Sequence, residues 1–479
     1  MSPILSSFGG GSIQGFRSLG GGGAMAVGDQ VIFTSSRMFG ALGPNKTMTD
    51  DFYGNFYPTE LMDFFQSQTK NGFQVFEVPA NGTYEFTIMG AWGGSCRFGN
   101  LNDATAANYS TRFASGVGLG SSTIFSDYYN LFDQTPTALS TGSTNHSPGV
   151  VVCTANLSEG DTITVQVGQS GLPSSQISTS CPGSGATAIY WNATGGSTSN
   201  FAIAGGSGGC MNGANTQTDP RSTYGTSGST GNGSGSFGGS NGGAGGSTGN
   251  SSTVLSGGTA TDRAGGGAGL TASPLNFNYF DNRPNTFDVS NCSSLTSTAC
   301  GGYQGGAYVN PYDSGTTNQS YMDATFNSSG ILTAISKPGT PAKTYSTANL
   351  TGLANYASNT TSTWPTSNND HPFSAMSQGG FGGGQIGGWG GTSGGGGYSG
   401  GGTGANSQSG AGGGGSSYVK PTGNKFIYSS FSNPSVSGSY HSAYVPFAAI
   451  WQGTTLSAAS TIPTGAIAGN GFCVMKRTA

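Results

Sequence analysis

The sequence predicts an all-β fold: a β-sandwich-like module with an interleaved polyglycine II helix bundle and loop insertions. Three observations lead there. Short stretches alternate apolar and polar residues at the period of a strand, as at Tyr84, Phe86 and Ile88. No long stretch carries the 3.6-residue periodicity of an amphipathic helix. Finally, 89 of the 479 residues are glycine, far above the usual share of roughly 7%.

The strands come in order. Phe73 and Val75 lead through Val78 and Pro79 to Asn81-Gly82, and Tyr84, Phe86 and Ile88 follow. This spacing predicts a hairpin with Asn-Gly at its turn. Further strands are expected at 150–152, at 162–167 after a turn at Glu159-Gly160-Asp161, at 186–191 and at 201–204. A last strand at 471–476 is expected to pair with the 71–90 or 160–170 region. The 27 Phe, 20 Tyr and 5 Trp can fill a core, since each buried aromatic removes about 150–250 Å² from water.

Glycine concentrates in two blocks, 205–268 and 379–415. They lack the Gly-X-Y period of collagen and suit a different three-residue helix, extended polyglycine II. That helix makes no internal hydrogen bonds, so its N–H and C=O groups need partners on neighbouring segments. Side-by-side packing within 379–415 is therefore expected.

Residues 1–70 read as a separate arm or attachment segment, and 71–479 as the glycine-rich domain, with insertions at about 97–148 and 269–378. A short helix is expected over 58–67, beginning at a proline. The arm clusters Phe52, Tyr53, Phe56, Tyr57, Phe64 and Phe65. With no evident sheet of their own, these aromatics would expose an apolar patch of the kind that marks interfaces. The insertions carry Tyr128, Tyr129, Tyr279, Phe280, Tyr303, Tyr308 and Tyr312 as candidate ligand-contact aromatics able to stack on sugar rings.

Charged residues are only 7%, the net charge is -4 and the three histidines are scattered. No basic stripe suits nucleic acid. No stretch of about 18 apolar residues suits a transmembrane helix, and the first residues lack the pattern of a secretory signal. The seven cysteines form no Cys-x-x-Cys pair, which disfavours zinc. Their odd number forbids complete internal pairing. Gly391-Thr392-Ser393-Gly394-Gly395 matches the string of a nucleophile elbow. That motif needs a strand before it and a helix after it, and here both sides are glycine. Asp370-His371 has no nucleophile tied to it. Asp50-Asp51 and Asp161 lack the ligand spacing of a calcium loop and read as turn and cap residues. No catalytic residue, cofactor or metal site is expected.

Four motifs occur in a fixed order: GVVVCTANLSEGDTITVQVGQSG (149–171), GATAIYW (185–191), FAIAGGSGG (201–209) and GGGGSSYV (412–419). FEVPANGTYEFTIMGAWGG precedes them and GNGFCVM (469–475) follows them as a closing strand. Together they resemble the glycine-rich domain of the anaplastic lymphoma kinase and leukocyte tyrosine kinase ectodomains, a module similar to many phage and marine-virus proteins. The resemblance spans about 71–479. It implies a β-sandwich joined to a polyglycine bundle, and no catalysis. The start, SSFGGGSIQGFRS, resembles the N-termini of phage and marine-virus structural proteins. The expected function is therefore non-enzymatic: a structural or adhesive virion component, such as a fibre, spike or capsid-associated subunit. The alternative is a secreted or cell-surface binding module of the receptor-ectodomain type. Expected partners are other virion or surface proteins, copies of the same chain, and a host glycan or receptor. The expected location is the virion surface or, in the alternative, the extracellular space.

Overall fold

The computed structural model describes residues 25–36, 43–44, 46–54, 57–67, 72–93, 147–171, 183–192, 200–209, 223–224, 267, 269–270, 323–326, 332–336, 343–344, 379–384, 393–402, 412–433, 450–452, 454–455 and 470–479. Among these residues the fold is mostly strands. One seven-stranded sheet has the order β14 (Ile427–Ser432), β5 (Val150–Leu157), β4 (Gly82–Met89), β17 (Phe472–Arg477), β1 (Gln30–Phe33), β15 (Ile450–Trp451), β16 (Thr454–Thr455). A second runs β2 (Phe65–Gln66), β3 (Phe73–Glu77), β6 (Thr162–Gln166), β7 (Thr187–Asn192), β8 (Phe201–Ala204), β13 (Ser416–Val419), β9 (Thr223–Tyr224). Within the expected 269–378 insertion, β10 (Asp323–Phe326), β11 (Leu332–Ser336) and β12 (Lys343–Thr344) make a small third sheet. Two short helices, α1 (Lys46–Gly54) and α2 (Thr59–Met62), lie between β1 and β2.

Alternation sends one row of each strand inward. Tyr84, Phe86 and Ile88 of β4 are fully buried, and Val151, Cys153 and Ala155 of β5 lie beside them. Ile163 and Val165 of β6 contribute from the other sheet, and all belong to one apolar cluster. This is the all-β, sandwich-like architecture that the strand pattern predicts. The terminal strand also pairs as expected: β17 runs antiparallel to β4, from Phe472 opposite Met89 to Arg477 opposite Tyr84.

The expected hairpin at Asn81-Gly82 is corrected. β3 and β4 exist, but they belong to different sheets, β3 pairing with β2 and β6, and β4 with β5 and β17. The chain crosses the sandwich at 78–81, where Pro79 has no N–H to give a ladder. Val78 instead bonds the next crossing, between β5 and β6: its N–H donates to the Asp161 carbonyl at 2.7 Å and its carbonyl accepts from Gly160 at 3.0 Å. The Tyr84 hydroxyl donates to the Ala80 carbonyl at 2.6 Å and fixes the corner.

The division at residue 70 is corrected as well. β1 lies inside the first sheet, paired along its length with β17. Phe52, Tyr53, Tyr57, Phe64 and Phe65 are buried, with Phe33 and Phe76, in the main core. Phe65 packs on Tyr53 at a centroid distance of 4.8 Å and on Phe76 at 5.1 Å. Five of the six aromatics expected to form an exposed patch thus lie inside the sandwich. The helix expected over 58–67 is shorter, stopping at Met62, because Phe65–Gln66 pairs with Phe76 and Val75 instead.

Glycine segments extend the strands at one end of the sandwich: 90–93 after β4, 168–171 after β6, 205–209 after β8, 183–186 before β7 and 412–415 before β13. Segments 379–384 and 393–402 pack among them through backbone hydrogen bonds. Gly206 and Gly209 donate to Gly396 and Ser393 at 2.8 Å, and Gly415 and Gly412 donate to Gly206 and Gly209 at 2.9 Å. The same two segments thus meet every third residue, on both sides of 206–209. Between these contacts Ser207 donates to Ala91, a different neighbour. The approach is so close that a Cβ on Gly185 would overlap the Phe381 carbonyl, and one on Gly396 the Gly382 carbonyl.

The second sheet is buried on its other face too. Phe73, Gln166, Ala188, Ile203 and Tyr418 form one cross-strand row over five strands. Phe381 and Tyr398, both from glycine segments, pack on that face with Phe73, Phe201 and Tyr418.

Candidate interaction surface

Of the attachment candidates, Phe52, Tyr53, Tyr57, Phe64 and Phe65 are core residues, and Phe56 lies outside the described residues. Tyr128, Tyr129, Tyr279, Phe280, Tyr303, Tyr308 and Tyr312 also lie outside them, as does Asp370-His371. Ser393 of the elbow-like string is buried in the glycine layer, its carbonyl accepting from Gly209 at 2.8 Å. Asp161 caps its turn, accepting from the Ser158 N–H at 2.8 Å. Among the described residues no group of three or more His, Cys, Asp or Glu could hold a metal ion, and no helix is long and apolar enough to cross a membrane.

Of the three exposed large apolar side chains among the described residues, Val27 precedes β1 and the other two lie together on β14. Ile427 is 61% exposed and Tyr428 39%. Tyr428 stacks on Tyr224 of β9 with ring centroids 4.5 Å apart, and Tyr224 also meets Phe431 at 5.6 Å. β14 and β9, the edge strands of the two sheets, therefore share one side of the sandwich. Burial raises the Tyr224 hydroxyl to about 12, and the neighbouring Tyr428 and Tyr418 add to this. The group stays neutral and offers a flat aromatic face at physiological pH.

The β13–β14 turn adds polar groups beside this edge. Lys425 sits 4.7 Å over the Trp191 ring, a cation–π contact. Its N–H donates to Asn200 Oδ1, and Asn424 Nδ2 donates to the Phe201 carbonyl at 2.8 Å. Gly423 closes the turn with φ +64, where a side chain would be strained. The sequence reading passed over this surface. Its signal was present in Pro421-Thr422-Gly423 followed by Phe426, Tyr428 and Phe431, a turn and an interrupted alternation.

The sandwich has two unlike ends. The crossings at 78–81 and 158–161 and the β13–β14 turn are short and lie at one end. At the other end the long β4–β5 connection leaves through 90–93 and returns through 147–149, and the chain from β8 to β13 leaves through 205–209 and returns through 412–415. The β6–β7 connection does the same through 168–171 and 183–186. No protein-family model matches the chain, and no match to it is found among curated proteins.

Proposed function

We propose that the chain is a non-enzymatic structural or adhesive surface protein, displayed on a virus particle, that presents binding segments on a glycine-built platform. The observation that carries this reading is the glycine end itself. The β4–β5 and β6–β7 connections and the long stretch from β8 to β13 leave and return through it, and binding usually resides on loops held by a rigid scaffold. The aromatics of the 97–148 and 269–378 insertions are then the candidate contacts with a host glycan or receptor. The platform is a bundle of polyglycine II segments. The three-residue spacing of the hydrogen bonds from Gly206, Gly209, Gly412 and Gly415 supports that conformation. The resemblance to the glycine-rich domain of receptor ectodomains and viral proteins points the same way.

Antibodies raised against the full chain test the proposal on the source material. Immunogold label on the surface of purified particles is the expected result. Recovery only from the host cell surface or the secreted fraction would favour the receptor-type binding module instead.

A further inference from the structure

We propose that β14 is a self-association edge, where a second copy of this chain adds its own β14 antiparallel across a two-fold axis between Ser429 and Ser430. Among the described residues β14 has a neighbour, β5, on one side only. The strand reads Ile427-Tyr428-Ser429-Ser430-Phe431-Ser432, and every residue but Phe431 is exposed. It contains neither charge nor proline, two devices that usually blunt a free edge.

A third such device is a bulge, and here the bulge makes the edge symmetric. The register shifts between Tyr428 and Ser430. Tyr428 lies opposite Cys153 and Phe431 opposite Val151, both inward residues of β5. Tyr428 and Phe431 thus share the inner face although they are three apart, and both rings reach Tyr224. Ile427, Ser430 and Ser432 lie opposite the half-buried Thr154, Val152 and Val150 and take the outer face. In a regular strand residues three apart point to opposite faces. The bulge removes that mismatch.

An axis between Ser429 and Ser430 then sets Tyr428 against the other copy's Phe431, and Ile427 against Ser432, each pair on a common face. A two-fold interface requires that self-complementarity. The joined edge also places four rings on one face, in addition to the two Tyr224 rings, where cross-strand aromatic pairs are favourable. The inference stands on the register of β14 and does not depend on where the protein is displayed.

Sedimentation equilibrium of the full chain and of Ser430→Lys tests it, with Thr455→Lys at the opposite edge of the sheet as a control. The expected result is a reversible dimer for wild type and the control. Ser430→Lys should weaken it at least about tenfold by placing charge on the edge, at an unchanged Tm. A wild type that stays monomeric up to roughly 1 mM, or a Ser430→Lys dimer of unchanged affinity, overturns the proposal. If Ser430→Lys lowers the Tm, cross-linking decides. Ser429→Cys mixed with Ser430→Cys should form the 429–430 disulfide between chains, identified by peptide mass mapping, and its absence overturns the proposal.

Discussion

The Tyr57 hydroxyl closes the open edge of β1 at Ile32. It accepts from the Ile32 N–H at 3.2 Å and donates to the Ile32 carbonyl at 2.7 Å. β15 covers only the Gln30 end of this strand, so a side chain takes the place of the next ladder rung. Two residues on, Thr34 is served in the same way. Its N–H donates to the Tyr53 hydroxyl at 2.7 Å, and its carbonyl accepts from Gln74 Nε2 at 2.6 Å. Tyr53 in turn donates to Gln74 Oε1 at 2.8 Å.

Tyr57→Phe should therefore destabilise the protein by about 1–3 kcal/mol, because a buried N–H and C=O both lose their partner. Denaturant unfolding followed by fluorescence measures this. Met62→Ala, at a half-buried position on the same helical hairpin, should cost less. Equal losses would mean that the hydroxyl is not what holds the edge.

Removing residues 1–70 should leave a chain that does not fold. It would lack β1, both helices, β2 and the buried Phe33, Tyr53 and Phe65. Limited proteolysis checks this, the expected outcome being digestion without a resistant fragment. A stable core of 71–479 would restore the reading of this region as a detachable arm.

Stability should fall at alkaline pH. Burial pushes Tyr84 up to about 12, the Arg477 guanidinium opposing the shift in part, and raises Tyr53 and Tyr57 as well. Tyrosines that ionise near 10 when unfolded and higher when folded bind more protons in the folded state over that interval. Their contribution is fully present below pH ~10 and is lost as pH rises through the folded values. Thermal melts from pH 9 to 12, paired with tyrosinate absorbance, should show Tm falling above pH ~10 with ionisation lagging behind that of the unfolded chain. A flat Tm across that range would contradict the burial of these hydroxyls.

Cys153 and Cys473 are free, fully buried thiols. Burial raises both, Glu85 adding to the effect on Cys153, and Cys153 to that on Cys473. A thiol-specific reagent at pH 8 should leave both unmodified until the protein unfolds, because the thiolate is the reacting form. Peptide mapping after a timed pulse reads this directly, and fast labelling of either cysteine in native buffer would contradict its placement.

The strands were legible from two signals: β4 and β6 alternate apolar and polar residues, while β5, β7, β8 and β17 carry short apolar runs of strand length, β8 being buried at every position. Pairing was not legible. Asn81-Gly82 has the composition of a hairpin turn, but Phe76 and Phe86 must both face the core from opposite sheets, and that tertiary demand outweighed the local signal. Tyr53 and Tyr57 were misread for a related reason. Clustered aromatics before the first recognisable strand look like an arm until β17, from the far end of the chain, supplies a partner for β1. The glycine layer was legible as a need for inter-segment hydrogen bonds. Which segments meet was not, since glycine carries no side chain to mark a face.

Substitution at glycine positions separates packing from flexibility. Gly185→Ala should destabilise by roughly 1–3 kcal/mol or more, since the added carbon meets backbone that must move. Gly54→Ala, at the exposed end of α1 with nothing near the added carbon, should be neutral or stabilise by about 0.4–1 kcal/mol. Chemical denaturation of both variants gives the comparison, and equal effects would mean that the close approach at Gly185 is not real.

Hydrogen exchange of the glycine amides tests the central claim most directly, because the account rests on an ordered, backbone-bonded layer at one end of the sandwich. Amides of 205–209, 393–396 and 412–415 should be protected to a degree comparable with the β4–β5 ladder, since Gly206, Gly209, Gly395, Gly396, Gly412 and Gly415 all donate to neighbouring segments. Exchange of these segments at the rate of an unstructured chain, with β4 and β5 still protected, would contradict it.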